Sequence, residues 1–204
     1  MTLRILLAHG AGAPSSSPWM RRFEALLGGI GGVKSFDYPY MQAGARRKAP
    51  DKLELLVAAH RAELRRLQQA AQPDDKLVLA GKSMGSRVGC HVAVACTAEG
   101  TPGPDGLVCF GYPLRGQNGK LRDEVLLALR TPVLFVQGTR DTLCALPELE
   151  AVRKRMQAPS VLHVVEGGDH SLEATKTTLK ARGTTQEQVE QGIVEVVRRF
   201  CEQL

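Results

Sequence analysis

The segment that decides the fold is Lys76-Leu77-Val78-Leu79-Ala80-Gly81-Lys82-Ser83-Met84-Gly85, an apolar run that ends in a serine flanked by glycines. The run has the length and composition of a buried strand, and the residues after it have the pattern of a helix that reaches about Thr97. A serine in Gly-x-Ser-x-Gly occupies a tight turn, because only small residues at positions 81 and 85 avoid collision there. The segment therefore predicts a strand, a sharp turn at Ser83, and a helix.

Similar units precede and follow this one along the chain. Further apolar strands are predicted at residues 3–8, 33–38, 106–111, 132–137 and 161–165, and helices at 18–27, 51–71, 147–156 and 185–204. Residues 39–50 are predicted to be irregular, and Asp51 is the predicted cap of the second of these helices. Strands that alternate with helices form βαβ units, and these build a parallel sheet. We predict an α/β fold with a mostly parallel sheet of about six strands and helices on both faces.

Length and charge narrow the functional classes. The chain has 204 residues, enough for one hydrophobic core, so we expect one domain over residues 1–204. The net charge is +6, but the basic residues lie in helical stretches mixed with acids, as at 61–66. Such stretches are usually solvated helix faces, so no nucleic-acid partner is expected.

The cysteines and the N-terminus indicate a compartment. The five cysteines are odd in number and contain no Cys-x-x-Cys pair, which favours reduced core residues. The first apolar run is too short for a signal peptide, and no stretch approaches the length of a membrane span. We expect a soluble cytoplasmic protein without membrane contact, whereas the sequence does not determine its oligomeric state.

Three polar residues follow three predicted strands. Ser83 follows the strand at 77–80, Asp141 the strand at 133–137, and His170 the strand at 161–165. Loops beyond the carboxyl ends of parallel strands converge, so these side chains are expected to meet. A serine becomes a nucleophile when a histidine accepts its proton, and a carboxylate orients that histidine. The order Ser, Asp, His along the chain is the one used by Gly-x-Ser-x-Gly hydrolases.

Each of these residues has a simpler alternative. Ser83 or Asp141 can act as a helix cap, and Asp169 is a competing acid, although side chains of neighbouring residues in a turn seldom point together. His9 is more plausible as a structural support of the adjacent glycine loop than as a base. Cys144 lacks the glycine-flanked turn of a nucleophile, so we predict a packing role for it.

Backbone amides near Ser83 are candidates for binding a developing oxyanion. The amide of Met84 begins the helix after the serine, and the second donor is expected in the loop after the first strand, at Ala11 with Gly10 or Gly12 as alternatives. Gly12, Lys82 and Arg122 are candidates for substrate contact, although lysine and arginine in loops are usually solvated. This chemistry requires no metal and no cofactor.

Several longer segments resemble one known family. They are His9-Gly10-Ala11-Gly12, Gly81-Lys82-Ser83-Met84-Gly85-Ser86-Arg87, Tyr112-Pro113-Leu114, Lys120-Leu121-Arg122-Asp123-Glu124, Pro132-Val133-Leu134-Phe135-Val136, Met156-Gln157-Ala158-Pro159 and Asp169-His170-Ser171. In this order they resemble the α/β-hydrolase family of testis-expressed protein 30 and the hydrolase-like domain of non-specific-lethal complex subunit 3. Lys82 departs from the arginine expected in animal members. The resemblance implies the α/β-hydrolase fold without a cap domain, a Ser83, Asp141 and His170 triad, and no particular substrate.

The sequence thus predicts a serine hydrolase that cleaves a small-molecule ester or a related acyl bond through an acyl-enzyme. The alternative is a noncatalytic hydrolase-fold module within a protein complex, which the basic helices and the family link to a multisubunit complex motivate. Carbon–halogen cleavage is disfavoured, because that chemistry prefers a carboxylate nucleophile to a serine.

Overall fold

The computed structural model describes residues 2–42, 49–116 and 119–204, and these contain six strands and eight helices. The strands are β1 Leu3–Ala8, β2 Gly32–Phe36, β3 Lys76–Lys82, β4 Gly106–Phe110, β5 Val133–Gly138 and β6 Ser160–Val165. The helices are α1 Pro18–Gly28, α2 Pro39–Gln42, α3 Leu53–Ala70, α4 Met84–Glu99, α5 Glu124–Ala128, α6 Leu146–Arg153, α7 Lys176–Ala181 and α8 Gln186–Cys201.

All six strands form one parallel sheet in the order β2-β1-β3-β4-β5-β6. The chain moves outward from β1 to β2, crosses back over β1 to β3, and then continues to β6. The direction of winding therefore reverses between β1 and β3, where Ala8 pairs with Gly81. In open parallel sheets the loops diverge at such a point and leave a crevice beyond the strand ends.

Alternate residues of the central strands pack on opposite faces of the sheet. In β1, Leu6 and Ala8 join the core beneath α3 to α6, whereas Ile5 and Leu7 join the core beneath α1 and α8. The strands β3, β4 and β5 show the same alternation. Because both faces are covered, most positions of these strands are apolar, which explains the long apolar runs of the sequence. The predicted α/β-hydrolase fold is confirmed, and the described residues contain no separate cap domain.

The helices differ in detail from those that the sequence predicts. The sequence does not predict the short helices α2, α5 and α7, since segments of four to six residues are too short to show a helical repeat. The prediction that Asp51 caps α3 is wrong: Lys52 is the N-cap residue, and the Asp51 carboxylate accepts a hydrogen bond from the Tyr40 amide at 3.1 Å. Residues 43–48 of the segment predicted to be irregular lie outside the described residues.

The cysteines agree with the prediction of a reduced core, because all five are buried and free. Among the described residues, no helix combines the length and apolarity needed to cross a bilayer.

The turn between β3 and α4 forces Ser83 into a rare backbone conformation, with φ of 51° and ψ of −115°. A Cβ atom built on Gly81 would lie 2.4 Å from the backbone of Gly85, and one on Gly85 would lie 2.5 Å from the carbonyl oxygen of Ala8. These distances are well below van der Waals contact, and the obstructing atoms belong to the backbone. The two glycines are therefore required for α4 to pack this closely on β1 and β3.

His60 of α3 is a fully buried polar residue in the core between α3 and the sheet. Its Nδ1 atom lies 3.0 Å from the hydroxyl of Tyr38, and its Nε2 atom has no hydrogen-bond partner among the described residues. Burial lowers the pKa of His60 from 6.5 to about 3, with a further contribution from His9. The folded state therefore holds this imidazole neutral.

The turn predicts a strong dependence of stability on Gly81. We expect Gly81→Ala to lower the free energy of unfolding by about 2–3 kcal/mol, because the new methyl group overlaps backbone atoms that cannot move independently. Gly192→Ala in α8 is the matched control, since a Cβ there meets nothing within 4 Å and alanine favours the helix by up to about 1 kcal/mol. Urea unfolding of both variants, followed by circular dichroism, measures the difference; equal stabilities would contradict the steric argument.

The neutral state of His60 predicts a loss of stability in acid. The unfolded chain binds a proton near pH 6.5 and the folded chain only near its pKa of about 3, so unfolding takes up a proton between these values. The free energy of unfolding should decrease as the pH falls through this range, by up to about 1.4 kcal/mol per pH unit from this group. Chemical denaturation between pH 4 and 7 should show a shallower pH dependence in His60→Gln than in the wild type. An unchanged slope would show that His60 does not contribute.

Candidate active site

Ser83 lies at the carboxyl end of β3, in the crevice between β1 and β3. Its amide donates to the carbonyl oxygen of Phe110 at 2.9 Å, which ties the turn to β4. Its side chain makes no capping hydrogen bond to α4, although Ser83 occupies the N-cap position. Instead, Oγ lies 2.8 Å from Nε2 of His170. The hydroxyl is thus directed away from the helix and toward an imidazole.

Asp141 follows β5, His170 follows β6, and the two side chains meet beside Ser83. The His170 Nδ1 atom lies 2.7 Å from Oδ2 of Asp141. Because an ionised carboxylate only accepts hydrogen bonds, the proton of a neutral His170 is on Nδ1, and Nε2 is free to accept from the Ser83 hydroxyl. The Asp141 side chain is fully buried, whereas 28% of the His170 side chain is exposed. The structure therefore brings together the three residues predicted from the strand ends.

Gln137, the penultimate residue of β5, supports Asp141 and was not identified from the sequence. Its Nε2 atom donates to Oδ2 of Asp141 at 2.5 Å, and its Oε1 atom accepts from the Tyr112 amide at 3.0 Å. The Leu143 amide donates to the other carboxylate oxygen at 2.8 Å. Gln137 is fully buried, and the signal for it in the sequence is a polar residue inside an apolar strand.

Two glycines allow the loops after β4, β5 and β6 to approach one another. Gly111 has φ of 59°, and a Cβ atom on it would lie 2.7 Å from the carbonyl oxygen of His170. A Cβ on Gly138 would lie 2.2 Å from the carbonyl oxygen of Gly168. Larger residues at either position would displace the segment that carries His170.

Asp169 and Cys144, the alternatives considered for the acid and the nucleophile, have other roles in the structure. Asp169 accepts hydrogen bonds from the amides of Ser171 at 2.7 Å and Glu173 at 3.1 Å, so its carboxylate stabilises its own loop. Cys144 is buried, and burial raises the pKa of its thiol to about 12, with the Asp141 charge contributing further. A thiol with such a pKa stays protonated at neutral pH and is a poor nucleophile.

His9 and Tyr40 fix the glycine loop that follows β1. The His9 Nε2 atom accepts from the Tyr38 amide at 3.1 Å, so the imidazole proton lies on Nδ1 and is donated to the carbonyl oxygen of Gly10 at 2.7 Å. Burial lowers the pKa of His9, which favours this neutral form. The Tyr40 hydroxyl donates to the carbonyl oxygen of Ala11 at 3.1 Å. His9 thus supports the loop.

The hydrogen bonds of this loop also orient its amides. In a trans peptide the C=O and N–H groups point in opposite directions, so holding the Gly10 carbonyl turns the Ala11 amide away from His9. Holding the Ala11 carbonyl orients the Gly12 amide in the same manner. Neither the Ala11 nor the Met84 amide donates a hydrogen bond to another described residue. Both amides are therefore available to an oxygen atom beside Ser83.

Two cavities meet at Ser83 and Ala11. The first, called here the Trp19 cavity, has a volume of about 300 Å³ and is lined by Gly10, Ala11, Gly12, Trp19, Lys82, Ser83 and His170 among others. The second, the Arg122 cavity, has a volume of about 330 Å³, and its lining includes Ala11, Leu53, Ser83, Met84, Arg87, Pro113 and Arg122. Ser83 therefore contributes to the lining of both cavities.

The predicted substrate contacts are divided between these cavities. Gly12 and Lys82 line the Trp19 cavity, where the Lys82 ammonium lies 4.8 Å from the centre of the Trp19 ring and donates to the Ser171 hydroxyl at 2.7 Å. Burial lowers the pKa of Lys82, and the charges of Asp169 and Glu173 oppose this shift. Arg122 lines the other cavity. Within the described residues, no three His, Cys, Asp or Glu side chains form a group able to hold a metal ion.

Comparison with solved structures shows that the fold of this chain is similar to the folds of known hydrolases. An alpha-beta serine hydrolase homologue from Coxiella burnetii superposes with a TM-score of 0.70 at 17% identity, covering 98% of this chain and 85% of that one. A cold-adapted esterase from an Arctic intertidal metagenomic library gives 0.68 at 18% identity, covering 97% and 82%. The RedJ thioesterase of prodiginine biosynthesis from Streptomyces coelicolor gives 0.62 at 18%, covering 89% and 84%. At these identities the similarity concerns the fold.

The sequence itself matches a family model described as an alpha/beta hydrolase domain over residues 1–202. This match covers almost the whole chain and includes Ser83, Asp141 and His170. The protein therefore belongs to the alpha/beta hydrolase family.

Proposed function

We propose that the protein is a serine hydrolase that cleaves an ester or a related acyl bond, with Ser83 as nucleophile, His170 as general base and Asp141 as the acid that orients it. The observation that carries the proposal is the continuous hydrogen-bonded chain from the Ser83 hydroxyl through His170 to Asp141, with distances of 2.8 and 2.7 Å. In such a chain the histidine takes the serine proton, and the carboxylate stabilises the resulting imidazolium.

The reaction proceeds in two stages. Ser83 Oγ attacks the carbonyl carbon while its proton passes to His170 Nε2, and the tetrahedral intermediate collapses as His170 returns that proton to the leaving alcohol or thiol. The acyl group then remains on Ser83. A water molecule, deprotonated by the same nitrogen, attacks the acyl-enzyme and releases the acid.

The oxyanion of each tetrahedral intermediate is proposed to bind the amides of Met84 and Ala11. One such donor lowers the barrier by about 3–4 kcal/mol. Ala11 is favoured over Gly12 because Ala11 lines both cavities that meet at Ser83, whereas Gly12 lines only the Trp19 cavity. The His9 side chain, through its bond to the Gly10 carbonyl oxygen, would hold the Ala11 amide in place before substrate binds.

The two cavities suit the two halves of an acyl substrate, since bonds to the acyl chain and to the leaving group extend in different directions from the attacked carbon. Esters and thioesters both fit this plan. We further propose one catalytic domain over residues 1–204 that acts on a small molecule in the cytoplasm. Membership of the narrower group of testis-expressed protein 30 remains a prediction from the sequence.

The proposal predicts covalent labelling of Ser83. A fluorophosphonate probe should label the wild-type protein, because the activated hydroxyl displaces fluoride from phosphorus, and Ser83→Ala should remain unlabelled. Turnover of 4-nitrophenyl esters should fall by roughly 10⁴-fold or more in Ser83→Ala and His170→Ala. Ser86→Ala is the matched control, because the Ser86 hydroxyl donates to the Ser83 carbonyl oxygen and lies outside the hydrogen-bonded chain. A folded wild-type protein that is neither labelled nor active would refute the proposal and favour a noncatalytic module.

The contacts of Gln137 predict a positioning role in the same reaction. Gln137→Leu removes one of the hydrogen bonds to Asp141, so the carboxylate and His170 should spend less time in the reactive geometry. We expect kcat to fall roughly 10- to 100-fold with KM nearly unchanged, the pattern of an interaction that acts on the transition state. Steady-state kinetics with one ester, together with urea unfolding, separate this effect from a loss of folded protein. A rise in KM at constant kcat would contradict the role.

A further inference from the structure

The charges around the Arg122 cavity are not balanced. Arg122 and Arg87 both line this cavity and also line a smaller neighbouring cavity of about 160 Å³, so the two arginines lie at the boundary between these spaces. Neither forms an ion pair with a carboxylate among the described residues. The residues outside that part of the chain, which are 1, 43–48, 117 and 118, include no aspartate or glutamate. No acidic side chain of the protein therefore neutralises either guanidinium by direct contact.

Arg87 is held in an electrostatically unfavourable position. Its Nε atom is buried without a hydrogen-bond partner, and its Nη1 atom has only a long hydrogen bond of 3.4 Å to Nε2 of His91. Burial, and secondarily the charge of Arg122, lowers the pKa of Arg87. A buried N–H group without an acceptor raises the free energy of the folded state. Two neighbouring cations raise it further unless an anion lies beside them.

The other charged groups of this cavity have partners. Arg115 is paired with Glu148, whereas the Asp51 carboxylate accepts a hydrogen bond from the neutral Tyr40 amide and keeps its negative charge. In the smaller cavity, Glu124 lies 3.6 Å from the Lys120 ammonium. The Trp19 cavity differs as well, because Asp169 and Glu173 act on Lys82 there. Among the described residues, the lining of the Arg122 cavity thus holds two arginines without an ion pair against the single carboxylate of Asp51, and its net charge is positive.

We propose that Arg87 and Arg122 bind an oxyanion group of the substrate, so that the preferred ester or thioester carries a carboxylate or phosphate on the part that enters the Arg122 cavity. This inference rests on the proposed hydrolase function, since Ser83 lines the same cavity. The guanidinium group suits such a ligand, because its fork of donors matches the oxygens of carboxylates and phosphates. The bound anion would lie beside both guanidinium groups and reduce the repulsion between the arginines.

The test compares two esters that differ only in terminal charge: mono(4-nitrophenyl) adipate and 4-nitrophenyl hexanoate. They share the leaving group and the length of the acyl chain. We expect kcat/KM for the adipate ester to exceed that for the hexanoate ester by roughly 10- to 100-fold, the range of hydrogen bonds to charged groups. In Arg122→Gln this ratio should fall toward one, and Arg122→Lys should retain part of it.

The matched control is Arg66→Gln, which removes an equal charge from a surface pair with Glu63 and should leave the ratio unchanged. A second variant, Arg87→Lys, keeps the charge but loses the fork of donors and should lower the ratio. Wild-type enzyme that cleaves the hexanoate ester as fast as the adipate ester would overturn the anion site and leave the proposed hydrolase function intact.

Binding provides a readout that does not depend on turnover. Isothermal titration calorimetry of Ser83→Ala should detect tighter binding of adipate than of the uncharged hexanamide, and the Ser83→Ala, Arg122→Gln double variant should bind adipate at least tenfold more weakly. If the wild type is inert toward both esters and the fluorophosphonate probe, the hydrolase proposal fails, yet this adipate binding would still support the arginine site. Equal affinity of the single and double variants for adipate would overturn the site.

Discussion

The left-handed backbone of Ser83 is the constraint on which the rest of the structure depends. This conformation turns the chain from β3 into α4 within one residue, and it requires Gly81 and Gly85 because the backbones of β1, β3 and α4 approach closely there. The neighbouring strands hold Ser83 in this strained conformation. The strand β3 pairs with β1 on one side, and the Ser83 amide donates to a carbonyl oxygen of β4 on the other. A well-packed sheet thus holds one hydroxyl in a position that an isolated turn would not maintain.

Much of this arrangement was predictable because it follows from local rules. The apolar runs that predict β1, β3, β4 and β5 are long, since both faces of these strands are covered, and the residues after β3, β5 and β6 converge because parallel strands share one edge. Ser83, Asp141 and His170 were accessible to this reasoning. The edge strand β2 was predicted with a later end, because Tyr38 continues its apolar pattern although pairing stops at Phe36.

The residues that were missed depend on contacts between distant parts of the chain. Asp51 precedes a helix and resembles a cap in sequence, but the Tyr40 amide competes for its carboxylate. Gln137 and Tyr40 carry no motif, and their importance lies in the partners that folding brings to them. The charge imbalance at Arg87 and Arg122 is likewise invisible in the sequence, because it depends on which carboxylates lie near these side chains after folding. To identify such features, one must know which polar and charged side chains have a hydrogen-bond or ion-pair partner in the folded protein.

The hydrogen bond between the Tyr112 amide and Gln137 has a consequence for how this fold can vary. Gln137 connects the first peptide after Gly111 to the carboxylate of Asp141, so the position of that acid is fixed relative to β4 as well as β5. An insertion before Tyr112 would shift the amide and, through Gln137, the acid. Chain added beyond Arg115, whose amide donates to the Leu143 carbonyl oxygen, would leave both in place. The hydrogen bond between the Tyr112 amide and Gln137 therefore requires a fixed chain length before Tyr112. The loop that follows can lengthen during evolution or design and thereby change access to Ser83.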